Sequence, residues 1–251
     1  MTEGGSGDDR GMIESLFLNA TIIGSNVLCK SGKSLVCVSM PQTLAVTDVI
    51  TTLNQAEARF GLRRSSELKF FPEWFEDLPE LDEAEQRTLD RIKATYLYQR
   101  ADGVLAEGVV NLLLTSPLLY LAGLCEPPFK LRAEVSVKLE LDGGDTIIQG
   151  RLDTLVLQNR LWIVVIESKR TTFPCPDAIP QALAYMMANP NPDLPSFGLV
   201  TNGDQFIFVK SVNQPSPQYD FSDDFSLFGR RQNELWEVLR VLKRLKGSIG
   251  E

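Results

Sequence analysis

The 251-residue chain contains no histidine. That absence excludes Ser-His-Asp and Cys-His nucleophilic catalysis, His-ligated zinc and two-His iron sites. Hydrolytic chemistry here has to run on carboxylates, lysine and an oxygen-loving metal. Cysteine is also scarce. Cys29, Cys37, Cys125 and Cys175 are too far apart for a zinc knuckle, and a chain of this length needs no disulfide staples, so reduced, partly buried thiols are expected. No apolar run reaches the 18 or so residues of a membrane helix. Residues 1–11 are rich in glycine and acids and lack an apolar segment. They read as a disordered leader rather than a signal peptide, and a cytoplasmic location is expected.

Basic charge is in deficit. The net charge is -8, unfavourable for a surface that binds phosphates. The deficit is local, however. Between Glu73 and Asp90 the chain carries eight acids and one base, Arg87, so the remainder is nearly neutral. That stretch reads as a solvated acidic loop and helix face.

Three regions are expected: the leader 1–11, an N-terminal extension over 12–100 with strands and then helices, and a core over 101–251. In the extension, strands are predicted at Ile13–Ala20, Asn26–Cys29 and Ser34–Met40, and a helix capped by Asp48 and ended by Gly61. The run from Val27 to Ser34 imitates a phosphate-binding loop, but Val27 replaces the first glycine. It reads as a turn between strands, with no use of ATP. A helix from about Asp82 to Arg100 follows, then one from Gly103 that stops before Ser116-Pro117.

Beyond Lys130 the period changes to two. Lys130–Leu141 and Thr146–Leu157 read as strands, and Leu161–Glu167 is apolar on both faces, as in a central buried strand. Asp177 is the expected cap of the next helix, and strands at Phe197–Thr201 and Gln205–Lys210 flank Asn202-Gly203. A basic amphipathic helix over Arg230–Leu245 closes the chain, its charges read equally as a phosphate-binding or a solvated face. The order from residue 102 is α-β-β-β-α-β-β, an α/β (α+β) class with a mixed central sheet flanked by helices.

Glu167 and Lys169, two apart on a strand, leave from one face at the end of an apolar run. Thirteen residues separate Glu167 from Asp153. A two-residue loop at 158–159 would turn Asp153 away from Glu167. A three-residue loop at 158–160 would make them diagonal neighbours, roughly 7–8 Å apart between Cα atoms. Convergence therefore requires an odd loop or a bulge. Paired carboxylates repel and gain from Mg²⁺, which keeps waters and leaves room for a phosphate oxygen. Lys169 would orient the attacking water and stabilise developing charge, and the backbone carbonyl of Ser168 is a further candidate ligand. Gln181 and Tyr185, at i and i+4, share one helix face.

The run from Gly150 to Arg170 with Gln181-Ala-Leu-Ala-Tyr185 resembles the PD-(D/E)xK nucleases of the RecB-like branch. The later Gly198–Lys210 segment looks like the Thr-Asn-Gly hairpin in the N-terminal nuclease domain of type I restriction-enzyme R subunits. The resemblance covers about residues 102–210 and implies a restriction-endonuclease-like core. Asp153, Glu167 and Lys169 would be catalytic, Gln181 and Tyr185 supporting, and Mg²⁺ or Mn²⁺ would be held by Asp153, Glu167 and the Ser168 carbonyl. It also implies an acid ahead of the first strand; Glu107 matches best, with Glu126 and Glu134 as alternatives. The expected function is Mg²⁺-dependent hydrolysis of DNA phosphodiesters without a helicase motor of its own. The partners expected are DNA and either other subunits or copies of this chain, with no membrane and no ATP. The rival is a catalytically inactive interaction or regulatory protein on the same fold.

Overall fold

The computed structural model describes residues 20–23, 26–31, 34–39, 42–141, 146–158 and 161–248, with the side chains of 43–139, 146–157 and 169–248. The expected leader, most of the strand at Ile13–Ala20 and the turns at Gly32-Lys33 and Gly143-Gly144 lie outside the described residues.

Two compact units form: Met1–Leu44 with Leu139–Ile148, and Ala45–Lys138 with Gln149–Glu251. In the smaller unit β1 (Ala20–Ile23), β2 (Asn26–Ser31) and β3 (Ser34–Ser39) make an antiparallel meander. Ser31 pairs with Ser34, so the segment that imitates a phosphate-binding loop joins strand to strand.

β4 (Gln42–Ala45) leads into the larger unit at α1 (Val46–Val49) and α2 (Leu53–Phe60). Asp48 lies inside α1 and caps nothing. The cap of α2 is Thr52, whose hydroxyl accepts from the Gln55 N–H while the Gln55 side chain accepts from the Thr52 N–H. Such a box is worth about 1 kcal/mol. Gly61 ends α2 in the left-handed conformation, φ 64°.

β5 (Arg63–Arg64) and a 3₁₀ turn at Pro72–Trp74 precede α3 (Glu83–Arg100), whose N-cap is Asp82, with Glu85 completing a capping box. The next helix runs on past Ser116-Pro117, as α4 (Glu107–Val110), a π-turn at Asn111–Thr115 and α5 (Ser116–Leu121). Pro117 has no N–H to donate and falls in the first turn of α5, where the wider turn before it leaves no ordinary helical bond to be broken.

β6 (Phe129–Leu141), β7 (Thr146–Gln158), β8 (Leu161–Ser168), a 3₁₀ turn (Cys175–Ala178), α6 (Ile179–Met186), β9 (Ser196–Thr201) and β10 (Gln205–Val212) follow. β11 (Gln218–Phe221), β12 (Phe225–Ser226) and α7 (Leu235–Gly247) complete the chain. Asp177 sits within the 3₁₀ turn; α6 has Ala178 at its N-cap with no side-chain cap, and Pro180 in its first turn. The sheet order is β7-β8-β9-β10-β11-β5, with β6 on β7. It is mixed, because β8 and β9 run parallel while β7–β8 and β9–β10 are antiparallel.

Alternation along β9 and β10 feeds two buried layers. Phe197, Leu199, Phe206 and Phe208 join a core with Leu89 and Tyr96 of α3, Leu114, and Leu239 and Leu242 of α7. α3, which the sequence assigns to an extension, therefore shares the core of the later elements. The intervening Val200, Ile207 and Val209 are buried too, as is every residue of α6.

The acidic stretch and the C-terminal bases meet across this layer. Glu73 pairs with Lys210 at 2.6 Å, and Glu85 pairs with Lys243. Arg240 donates to the carbonyls of Leu78 and Pro79 and pairs with Glu237 and Glu80. Arg240 and Lys243 are thus internal fasteners. No described helix is long and apolar enough to cross a membrane.

Candidate active site

The β7–β8 ladder closes at Gln158↔Leu161 and Leu157↔Trp162, then jumps to Val156↔Val164 and Thr154↔Ile166. Ile163 is the extra residue of a bulge. The strands pair one residue nearer the turn than a loop beginning at 158 allows, and residues 159–160 lie outside the described set. Continued by one pair, the shifted ladder sets position 153 opposite position 167. Without the bulge, position 153 would oppose 166 and lie on the other face from 167. The backbone of Glu167 and Ser168 pairs in parallel with Val200 and Thr201 of β9; their side chains lie outside the described ones.

Three further elements converge on this point. Glu107, at the start of α4, is half-buried and shares a hydrogen bond with Asp153. Burial pushes the Glu107 carboxyl above the usual carboxylate range, the Asp153 charge pushes it further, and Lys169 opposes both. Of the alternatives, Glu134 pairs with Arg151 and takes a left-handed φ of 55°, while Glu126 acts on the neighbouring Cys125. Lys169, just past β8, borders a cleft of about 280 Å³ with Asp153, Gln181 and Tyr185.

Gln181 and Tyr185 are both buried, with Gln181 Nε2 3.5 Å from the Tyr185 hydroxyl. Gly150 admits Tyr185 to the back of β7, because a Cβ there would stand 2.6 Å from the ring.

Several positioning residues escape a motif reading. Thr171, two beyond Lys169, clamps Leu105, two before Glu107. The Thr171 N–H donates to the Leu105 carbonyl at 3.2 Å, and its hydroxyl accepts from the Leu105 N–H at 3.1 Å. The Lys169 N–H donates to the Thr201 carbonyl at 2.7 Å, and Asn202 Nδ2 donates to the Phe173 carbonyl at 2.8 Å. The hairpin at 201–204 is in turn anchored by α3. Asp204 accepts from the Tyr96 hydroxyl at 2.6 Å and pairs with Arg100 at 3.1 Å. The hairpin itself is legible from the strands flanking Asn202-Gly203 and from the Thr-Asn-Gly pattern, but its anchorage to α3 is not.

Cys175 is buried, its thiol donating to the Val200 carbonyl and pushed up to about 12 by burial. It is an inert packing group.

The donor set suits a hard divalent cation. Glu107 and Asp153 offer only oxygens, with position 167 on the same face, and a cation would relieve the repulsion between the two carboxylates. Among the described side chains, no group of three or more acids or cysteines stands ready to hold a metal; that of Glu167 is not among them.

Comparisons with known proteins bear on this chain as follows. No curated protein matches it. Among solved structures, a fragment assigned to the HsdR subunit of a type I restriction enzyme from Vibrio vulnificus YJ016 is similar at 19% identity, with a TM-score of 0.35. The match covers 49% of this chain and 24% of that one. A family-level comparison matches residues 74–216, more than half of the chain. The chain belongs to the family of type I restriction enzyme R protein N termini.

Proposed function

We propose that this chain is a divalent-metal-dependent nuclease domain of the PD-(D/E)xK type, RecB-like branch, hydrolysing DNA phosphodiesters as part of a restriction system. The supporting observation is the meeting of Glu107, Asp153 and Lys169 from three separate elements. Family membership supports DNA as substrate and other subunits as partners.

In this reading Asp153, Glu167 and Glu107, with the Ser168 carbonyl, would hold Mg²⁺ or Mn²⁺. When bound, the ion supplies Lewis-acid polarisation of the phosphate and a more acidic water. Lys169 donates hydrogen bonds to the attacking water and to charge growing on the phosphorus oxygens. Gln181 and Tyr185, immobilised under Gly150, keep the Lys169 side of the cleft in shape.

Purified protein with Mg²⁺ or Mn²⁺ is expected to cleave plasmid or single-stranded DNA. Lys169→Ala should reduce cleavage by about 100-fold or more while retaining Mn²⁺ binding by calorimetry, and Asp153→Ala should lose both. An absence of cleavage, or cleavage unchanged in Lys169→Ala, sinks the reading. Mn²⁺ binding with no cleavage selects the inactive nuclease-fold protein instead.

A further inference from the structure

Two neighbouring clefts at the site have lining residues in common. The one holding Asp153, Lys169 and Gln181 shares Lys169, Gln181 and Thr47 with a second cleft of about 530 Å³. The walls of this second cleft include Thr51, Thr52 and the ring of Phe173, the one aromatic ring that borders it among the described residues. The two clefts therefore adjoin at Lys169, and the second is lined by Phe173 with Asp177.

Phe173 is poorly explained as core. It is half-buried, borders an open cleft, and takes no place in the buried cluster of the unit. Yet its backbone is fixed at both ends. Its N–H donates to the Arg170 carbonyl at 2.9 Å, and its carbonyl accepts from Asn202 Nδ2 at 2.8 Å. Its ring lies 5.9 Å from the Lys169 ammonium, and Arg170 beside it is exposed. A ring held next to a cation at an open cleft fits the recognition of single-stranded nucleic acid. Bases stack on aromatic faces while cations follow the phosphates, and every base has a face to offer. A base in a duplex has both faces already stacked on its neighbours, so this cleft requires one that has left the stack.

We propose that the Phe173 cleft is a stacking subsite for an unpaired base adjoining the scissile phosphate, which makes single-stranded DNA the preferred substrate. The inference rests on the nuclease reading for the phosphate's position, but base binding can be measured without cleavage.

The probe is a fluorescein-labelled deoxy-oligonucleotide, single-stranded or annealed to its complement, titrated with the intact chain in Ca²⁺ and followed by anisotropy. A second probe carries 2-aminopurine, whose emission falls on stacking. The single strand should bind at least about tenfold more tightly than the duplex, with 2-aminopurine quenched. Phe173→Leu should weaken single-strand binding about tenfold and abolish the quenching, while Phe173→Tyr preserves both. Equal affinity for single strand and duplex, or Phe173→Leu binding and quenching like the parent, overturns the subsite. Parallel Mg²⁺ assays separate the two readings. Duplex cleavage with no Phe173-dependent binding overturns the subsite and leaves the nuclease. Phe173-dependent binding with no cleavage keeps the subsite and overturns the nuclease.

Discussion

The Tyr185 ring occupies the space in which Gly150 would carry a β-carbon. An added Cβ would stand 2.6 Å from the ring, 2.7 Å from its hydroxyl and 2.9 Å from Val46 Cγ2. These are the rigid parts of buried groups, so neither neighbour can swing aside. Gly150→Ala is expected to destabilise the protein by about 1–3 kcal/mol, the usual cost of overpacking, and to depress cleavage beyond what the stability loss explains. Tyr185→Phe keeps the packing and removes the hydroxyl that Gln181 Nε2 approaches at 3.5 Å, so it should lose less stability than Gly150→Ala. Thermal unfolding alongside cleavage rates separates the two; equal rates in parent and Gly150→Ala would show that Tyr185 has no part in the chemistry.

The second prediction concerns Glu107. Its carboxyl is raised first by burial and then by Asp153, so the folded state binds that proton more tightly than the unfolded state. Stability from this group is greatest at low pH and falls as pH climbs from the ordinary carboxyl value through the raised one. Glu107→Gln removes the penalty. Its melting temperature should exceed the parent's at neutral pH, by about 2–4 °C for each kcal/mol relieved, and the gap should close in acid. Added Mn²⁺ should stabilise the parent more than the variant. A melting difference independent of pH would refute this account.

The third concerns Asp204. With the side chains of Arg100 and Asp204 25% and 14% exposed, removing the carboxylate leaves the guanidinium with its bond to the Gly103 carbonyl. Asp204→Ala should cost about 1.5–3 kcal/mol, as for hydrogen bonds to a charged group, and Tyr96→Phe about 1 kcal/mol. Because this anchor carries the hairpin that holds Lys169 and Phe173, Asp204→Ala should also lower cleavage at temperatures where the chain remains folded. Denaturant unfolding with activity at matched folded fractions tests it.

Legibility in the sequence followed the range of the forces involved. Asp82, Gly61, Pro180 and the alternation of Lys130–Leu141 are local signals, and each acts within a turn or one strand. Asp48 and Asp177 both have the chemistry of a cap, but neighbours decide: Thr52 has Gln55 to complete its box, and a 3₁₀ turn takes Asp177. Continuity through Ser116-Pro117 needed a π-turn that no residue preference announces. The pairing of Arg240 and Lys243 with the segment around Glu85 joins groups some 160 positions apart in sequence, beyond any window. Gln181, Tyr185 and the Thr-Asn-Gly hairpin were visible as a pattern. Thr171 was not, since a threonine clamping a distant backbone resembles any other threonine.

The bulge at Ile163 makes the alignment of 153 with 167 a matter of length rather than of residue identity. Between the turn and the site β8 holds one residue more than β7, and that surplus gives the hairpin a tolerance in one direction. Loss of the Ile163 codon, or gain of one codon in β7 between 154 and 157, would flatten the hairpin and leave the two acids opposed. Gain in β8 or loss in β7 would demand a second distortion or reverse one acid. A set of single-codon length variants scored for Mn²⁺ binding should therefore divide by strand and sign. Where this family tolerates indels in the hairpin, they should fall on the permitted side.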